Sequence, residues 1–327
     1  MNTRRKWLAT GVAWPALAWA GALRAQANSP VIIGWLDIYG RDVGQPSLGA
    51  FKEGMAALGW KIGTQYVLEE RYADGRVERL PALAQELAAR KPAVIVTTPS
   101  TSAKAAAAAA PTIPVVVANG DPMSTGTVKS LARPEGMVTG LSNVVTDLNQ
   151  KLVEMLVETM PRLQRVGFLA NPTSNNFSAN VSDAHRAAEH LRVEAVIVEM
   201  AKPEDIESAM ARLAKAKAQA VVMLPFGWII PHIPTIIRSA LDQRWPVVST
   251  LSPFTRQGGL FSYGPDRIAL HRRAAYYVDR ILKGAKPGDL PIEQPTTFDL
   301  VINLKTAKQL GITIPNSLRV RATEVIE

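Results

Sequence analysis

The stretch AVIVTTPSTSAKAAAAAAPTIPVVVANGDP, residues 93–122, decides the fold. Two short β-branched runs, Ala93–Thr97 and Pro114–Ala118, flank a polar turn and an alanine helix over Ala105–Ala110. Strand, helix and strand in that order make a parallel βαβ unit, because parallel neighbours need a crossover long enough to hold a helix. Low-bulk alanine predicts a helix pressed close to its sheet.

The same rhythm runs outward in both directions. Upstream, Val31–Leu36 reads as a buried strand; Leu48, Phe51, Met55 and Leu58 then share one helical face, and Gly59 ends that helix. A strand over Tyr66–Tyr72 and a helix with Leu80, Leu83 and Leu87 inward complete the first block. The pattern restarts near residue 143. A helix over Asp147–Met160 leads into strand Arg165–Ala170 and helix Asn175–His190. Strands Val193–Val198, Ala220–Leu224 and Pro246–Ser249 follow, with a helix marked by Ile206, Met210 and Leu213. Two α/β blocks of similar length imply two Rossmann-like lobes with parallel sheets and a ligand cleft between them.

Length and charge fit that frame. The 327 residues suit two ordinary domains, and the absence of cysteine excludes disulfide frameworks, thiol catalysis and cysteine-ligated metals. The formal charge of +9 invites a nucleic-acid reading. However, Arg4, Arg5, Lys6 and Arg24 fall in what reads as an export signal over residues 1–27: a basic start, an uncharged run Leu8–Leu23, then Ala25-Gln26-Ala27. Without those four the balance is +5, scattered and with no helix-turn-helix, zinc or RNA-recognition pattern. The expectation is a soluble periplasmic protein, exported by the Sec or the twin-arginine route, not a lipoprotein, with no nucleic-acid partner.

In open α/β sheets ligands sit at the carboxyl ends of strands, so the turns there supply the candidates. Ser100 and Thr101 open the alanine helix, where free backbone N–H groups and hydroxyls suit a carboxylate; plain N-capping is the alternative. Asp121, on the turn after Ala118, suits an ammonium group, or caps an Asx-turn. Tyr39 follows the first strand and is placed to stack on a ligand or simply to lie on a surface loop. Asn171 and Asn175 repeat the polar turn in the second block. Phe226 and Trp228 put two aromatics into a turn, suiting a flat apolar ligand or plugging the core, and Tyr263 lies on a glycine-flanked strand that reads as a crossing or cleft edge.

Enzyme patterns are missing. His185 and His190 lie five apart, off the spacing that stacks two zinc ligands on a helix. There is no G-x-S-x-G, P-loop or G-x-G-x-x-G, and Thr101 with Lys104 only mimics a Ser-x-x-Lys pair. No catalysis, cofactor or metal is expected.

The final third carries a resemblance. Gly258-Gly259-Leu260, Ser262-Tyr263-Gly264-Pro265-Asp266, Arg272-Arg273-Ala274-Ala275, Asp279–Pro287, Leu290–Thr296 and Leu300–Lys308 resemble a large family of ABC-transporter substrate-binding proteins. Phe51–Gly54, Arg79–Ala84, Gly120-Asp121-Pro122 and Leu131–Pro134 fit the same pattern, so the likeness spans nearly all of residues 30–327. Members described as tryptophan or tyrosine uptake proteins belong there. The resemblance implies a type I periplasmic-binding architecture with three crossings, near residues 143, 263 and 294. Residues 28–143 with 264–294 then form one lobe, and 144–263 with 295–327 the other. It also implies that the Ser100-Thr101 loop, Asp121 and the Asn171 loop line the cleft, although the loop Asp37–Gln45 departs from the usual Ser/Pro/Gly-rich form. The expected role is the solute-binding component of an ABC importer. It would be a monomer that takes a small carboxylate-bearing solute, an amino acid of aromatic or branched type, to an inner-membrane permease with its cytoplasmic ATPase. The alternative is an extracytoplasmic sensor feeding a membrane receptor or sensor kinase.

Overall fold

A computed structural model describes residues 29–143, 148–174, 176–226 and 228–327. The expected export signal and Asn175 lie outside the described residues. The chain begins β1 (Val31–Asp37), α1 (Arg41–Ala57), β2 (Tyr66–Tyr72), α2 (Leu80–Ala89), β3 (Val94–Thr98), α3 (Ser100–Ala109), β4 (Val115–Gly120) and β5 (Val138–Ser142). These strands form one parallel sheet in the order β2-β1-β3-β4-β5. There follow α4 (Leu148–Thr159), β6 (Arg165–Ala170), α5 (Phe177–His190), β7 (Glu194–Glu199), α6 (Ile206–Lys215), β8 (Ala220–Met223), α7 (Ile233–Asp242), β9 (Val247–Ser249), α8 (Ser252–Arg256) and β10 (Phe261–Pro265). The chain ends with α9 (Arg267–Leu282), β11 (Phe298–Asn303), α10 (Leu304–Leu310), α11 (Asn316–Arg321) and β12 (Glu324–Ile326). The second sheet runs β12-β11-β10-β9-β8-β6-β7.

Strand β1 shows why the first sheet is stable. It lies between β2 and β3 and is covered on both faces, so its side chains from Val31 to Leu36 are apolar apart from the bare Gly34. Trp35 meets Leu48, Phe51 and Met55 of α1 together with Leu270, Ala274 and Val278 of α9. Leu36 and Ile38 point the other way, toward Leu80, Leu83 and Leu87 of α2 and Ala103 and Ala106 of α3. Each large side chain so enclosed contributes about 1.5–3 kcal/mol. Helix α9 belongs to this lobe although residues 121–266 separate it from β4. Its contact with α1 depends on Gly54, where a Cβ would stand 2.4 Å from the Arg272 carbonyl oxygen.

The chain passes between the sheets three times. Strand β5 is in the first sheet and α4 packs on the second, joined through residues 144–147, which are not described. β10 hands over to α9 at Pro265–Arg267, and Glu293, bridged to Leu141 at the first sheet, leads to β11 in the second. Two details differ from the sequence expectation. β10 pairs antiparallel with β11, so the second sheet is mixed. Leu58, expected on the buried face of α1, lies just past the helix end and is 40% exposed.

Candidate functional site

Because the first sheet is parallel, its carboxyl ends share one edge, and the residues that end its strands collect there. The indole-bearing face of β1 finishes in Asp37, an acid at the end of an otherwise apolar strand, 1% exposed. Its Oδ1 accepts from the Tyr39 backbone N–H at 2.9 Å, and Oδ2 has no hydrogen-bond partner. Burial pushes the Asp37 carboxyl from 3.8 up to about 7, against the opposing pull of the Tyr39 N–H and the Arg267 charge.

Strand β3 ends at Thr98, and α3 begins two residues later behind Pro99, which has no capping side chain. The Ser102 hydroxyl turns back to the Thr98 carbonyl at 3.1 Å. The hydroxyls of Thr98, Ser100 and Thr101 are buried and find no partner. N-capping therefore does not account for Ser100 and Thr101; both lie inside the first turn with donors unspent, at the positive end of a ten-residue helix. β4 comes very close here: a Cβ on Gly120 would sit 2.1 Å from the Ser100 Oγ.

Arg267 completes this edge from the hinge. It is the first residue of α9, directly after Asp266, whose Oδ1 caps the helix by accepting from the Ala269 N–H at 2.9 Å. With the Asn119 amide turned so that its oxygen faces the guanidinium, that oxygen accepts from Nε at 3.0 Å and Nη2 at 3.3 Å. The guanidinium lies 5.8 Å from the centre of the Tyr39 ring. One turn on, His271 holds Nδ1 2.6 Å from the Arg267 carbonyl oxygen, and burial lowers its pKa to about 4, so the ring is neutral and donates.

Tyr39 faces both ways. It packs against the first-lobe core around Leu36 and Ile38 and against the second-lobe core that contains Phe226 and Ile229. Trp228 packs on the same second-lobe cluster, its ring 4.7 Å from Phe226 and 5.7 Å from His232, and its indole N–H is buried without a partner. A cavity of about 420 Å³ opens beside this contact, lined by Tyr39, Gly40, Arg41, Asp42 and Asp74 from one lobe and Pro231 from the other.

The structure thus gathers Ser100 and Thr101 on one wall and Tyr39, Phe226 and Trp228 where the lobes meet. Asn171 is at the end of β6, buried, with Oδ1 accepting from the Thr173 N–H at 2.9 Å and the Thr173 hydroxyl at 2.8 Å. Asp121 is half-buried and its Oδ1 accepts from the Ser124 N–H at 3.0 Å, which commits that oxygen to an Asx-turn. Tyr263 stacks on Phe298 at 5.7 Å and packs on the second-lobe core, apart from the Tyr39 contact. Sequence reasoning passed over Asp37, Asn119 and Arg267. An acid closing an apolar strand is a readable signal; an arginine after a helix cap is not, since only the fold brings it beside β4. Among the described residues no group of three or more His, Cys, Asp or Glu side chains is placed to hold a metal, and no helix is long and apolar enough to cross a membrane.

Comparison with known proteins agrees with this architecture. A tyrosine-binding protein of Clostridioides difficile is 25% identical over 275 residues, 83% of this chain and 79% of that protein. The crystal structure of an ABC domain from Streptococcus pneumonia in complex with L-Trp superposes with a TM-score of 0.85 at 26% identity, covering 91% of this chain and all of the other. A conserved domain protein of Vibrio cholerae gives a TM-score of 0.85 at 27% identity with the same coverage. The fold is the type I periplasmic-binding architecture. Residues 42–326 match the model of the ABC transporter substrate binding protein family, and the chain belongs to that family.

Proposed function

We propose that this protein is the exported, periplasmic solute-binding component of an ABC importer and that it closes over an aromatic amino acid. The observation that carries the reading is Tyr39, which packs on both lobes with Phe226 and Trp228 and follows a strand whose sheet edge also holds the unpartnered hydroxyls of Ser100 and Thr101. The aromatic side chain lies among the three rings, the carboxylate points to the first turn of α3, and Asn171 lines the opposite wall. The lobes are 28–143 with 264–294 and 144–263 with 295–327. Ligand touching both shifts the hinge toward closure, and the closed monomer delivers it to a permease. The two relatives named for tyrosine and L-Trp support the ligand class. The family supports a binding role rather than catalysis.

Thermal unfolding with single amino acids tests this. A ligand at about 100 times its Kd adds about 2.7 kcal/mol. L-Trp, L-Tyr or L-Phe should raise the unfolding temperature while L-Lys and L-Glu leave it unchanged. No response to any amino acid overturns the reading.

A further inference from the structure

The groups at the cleft are not balanced between the two ends of an amino acid. On the side that receives a carboxylate stand three buried hydroxyls without partners, the first turn of α3 and the Arg267 guanidinium. Arg267 has no carboxylate within ion-pair reach among the described residues; the Asn119 amide and the Tyr39 ring contact it, and its charge also acts from farther off on the buried Asp37. Asn119 and Gly120 are consecutive, one holding Arg267 and the other abutting Ser100, so a single strand end touches both the cation and the start of α3.

Most of the acids are otherwise engaged, and Asp42, on the rim of the cavity, is exposed and its charge screened by water. Asp121 gives an oxygen to its own turn. Asp266 caps α9, and Asp74 pairs with Arg79. Asp37 is buried beneath the first turn of α1, its free oxygen 2.9 Å from where a Cβ on Gly44 would stand, and burial disfavours its charged form. An ammonium group gains little from acids so placed, whereas a carboxylate beside a guanidinium forms a charge-assisted pair.

We propose that the cleft recognises its aromatic ligand by the carboxylate, with Arg267 as the cationic receptor, so that aromatic carboxylates lacking an amino group belong to its ligand class. This rests on the reading of the cleft as an aromatic-ligand site and extends its chemistry to arylacetates, arylpropanoates and aryl 2-oxo acids. Arg267 also explains why the receptor stands at a crossing. Being the first residue after β10 hands over to α9, it carries the ligand's charge directly to the hinge.

Calorimetric titration of the purified protein with L-Trp, 3-(indol-3-yl)propanoate and tryptamine decides the matter. The propanoate should bind within about threefold of L-Trp, and tryptamine at least about a hundredfold more weakly. Arg267→Met should weaken both acids by about tenfold or more, and Arg267→Lys, which keeps the charge, should weaken them less. The three-ligand comparison on the unaltered protein stands even where a variant fails to fold. Binding of L-Trp without binding of the propanoate overturns this proposal alone, as does unchanged affinity for both acids in a folded Arg267→Met. Absence of binding by all three overturns the aromatic-ligand reading as well.

Discussion

Replacing Gly120 with alanine tests whether the ends of β3 and β4 seat the ligand. The added Cβ would lie 2.1 Å from the Ser100 Oγ and 2.7 Å from the Ser100 backbone nitrogen, where ordinary contact begins at 3.4 Å. The hydroxyl can rotate away, but the nitrogen belongs to the first residue of α3 and must move with the helix, by about 0.7 Å. Overpacking of this kind costs about 1–3 kcal/mol. It also swings the Ser100 hydroxyl and turns the helix start away from the carboxylate. Losing one charge-assisted hydrogen bond, about 1.5–3 kcal/mol, weakens binding by roughly ten- to a hundredfold. Calorimetric titration with L-Trp and thermal unfolding of the same sample read both effects. Gly49→Ala, in α1 with nothing within 4 Å of the new Cβ, is the control and should keep its affinity and gain up to about 1 kcal/mol. A Gly120→Ala protein that binds L-Trp as tightly as the original refutes the placement of the ligand at this edge.

Three further outcomes follow from the same geometry. Asp37 has a folded pKa raised to about 7 from 3.8, so its protonated form is favoured by folding; its stabilising contribution is present below pH 4 and is lost as pH rises through 7. The stability difference between the protein and Asp37→Asn should therefore change by on the order of 4 kcal/mol between pH 4 and pH 8, against the variant's favour at the acid end, in denaturant titrations; a flat difference would count against the burial argument. Asp121→Asn keeps an acceptor for the Ser124 N–H and should alter L-Trp affinity by less than about threefold, a larger loss by calorimetry showing that the second oxygen touches the ligand. Trp228→Phe should remove most of the fluorescence change that L-Trp analogues without indole, such as L-Phe, produce on binding; an undiminished change places Trp228 outside the ligand's reach.

The parallel strands were legible from their alternation with helices: Tyr66–Tyr72 in the first lobe and Arg165–Ala170 in the second begin and end where the sequence pattern places them. Leu58 misled because helical periodicity continues past the point where the backbone leaves the helix. β11 was hidden as a strand because Asp299 and Asn303 interrupt its apolar run, and its antiparallel pairing with β10 depends on a return of the chain that no local pattern encodes. At the candidate site, the polar turn holding Ser100 and Thr101 was readable because a turn between strand and helix is a local feature, and the structure shows the two hydroxyls buried without partners. Asp121 was readable as a candidate, but its partner Ser124 is a turn contact that composition does not distinguish from a free carboxylate. Arg267 was beyond reach, since its meeting with Asn119 and Tyr39 joins three segments far apart in the chain.

The late position of α9 bears on the order in which the molecule is made. Trp35, Phe51 and Met55 are synthesised early, but the helix that covers them arrives only with residues 267–282, after most of the second lobe. Until then the first lobe presents an open greasy face and lacks the tie from the Trp60 indole N–H to Asp279, 2.8 Å long and spanning 219 residues. A nascent chain of this kind keeps that face uncovered until translation is nearly over. The wiring that brings Arg267 beside Asn119 and Tyr39 also postpones the completion of the first lobe.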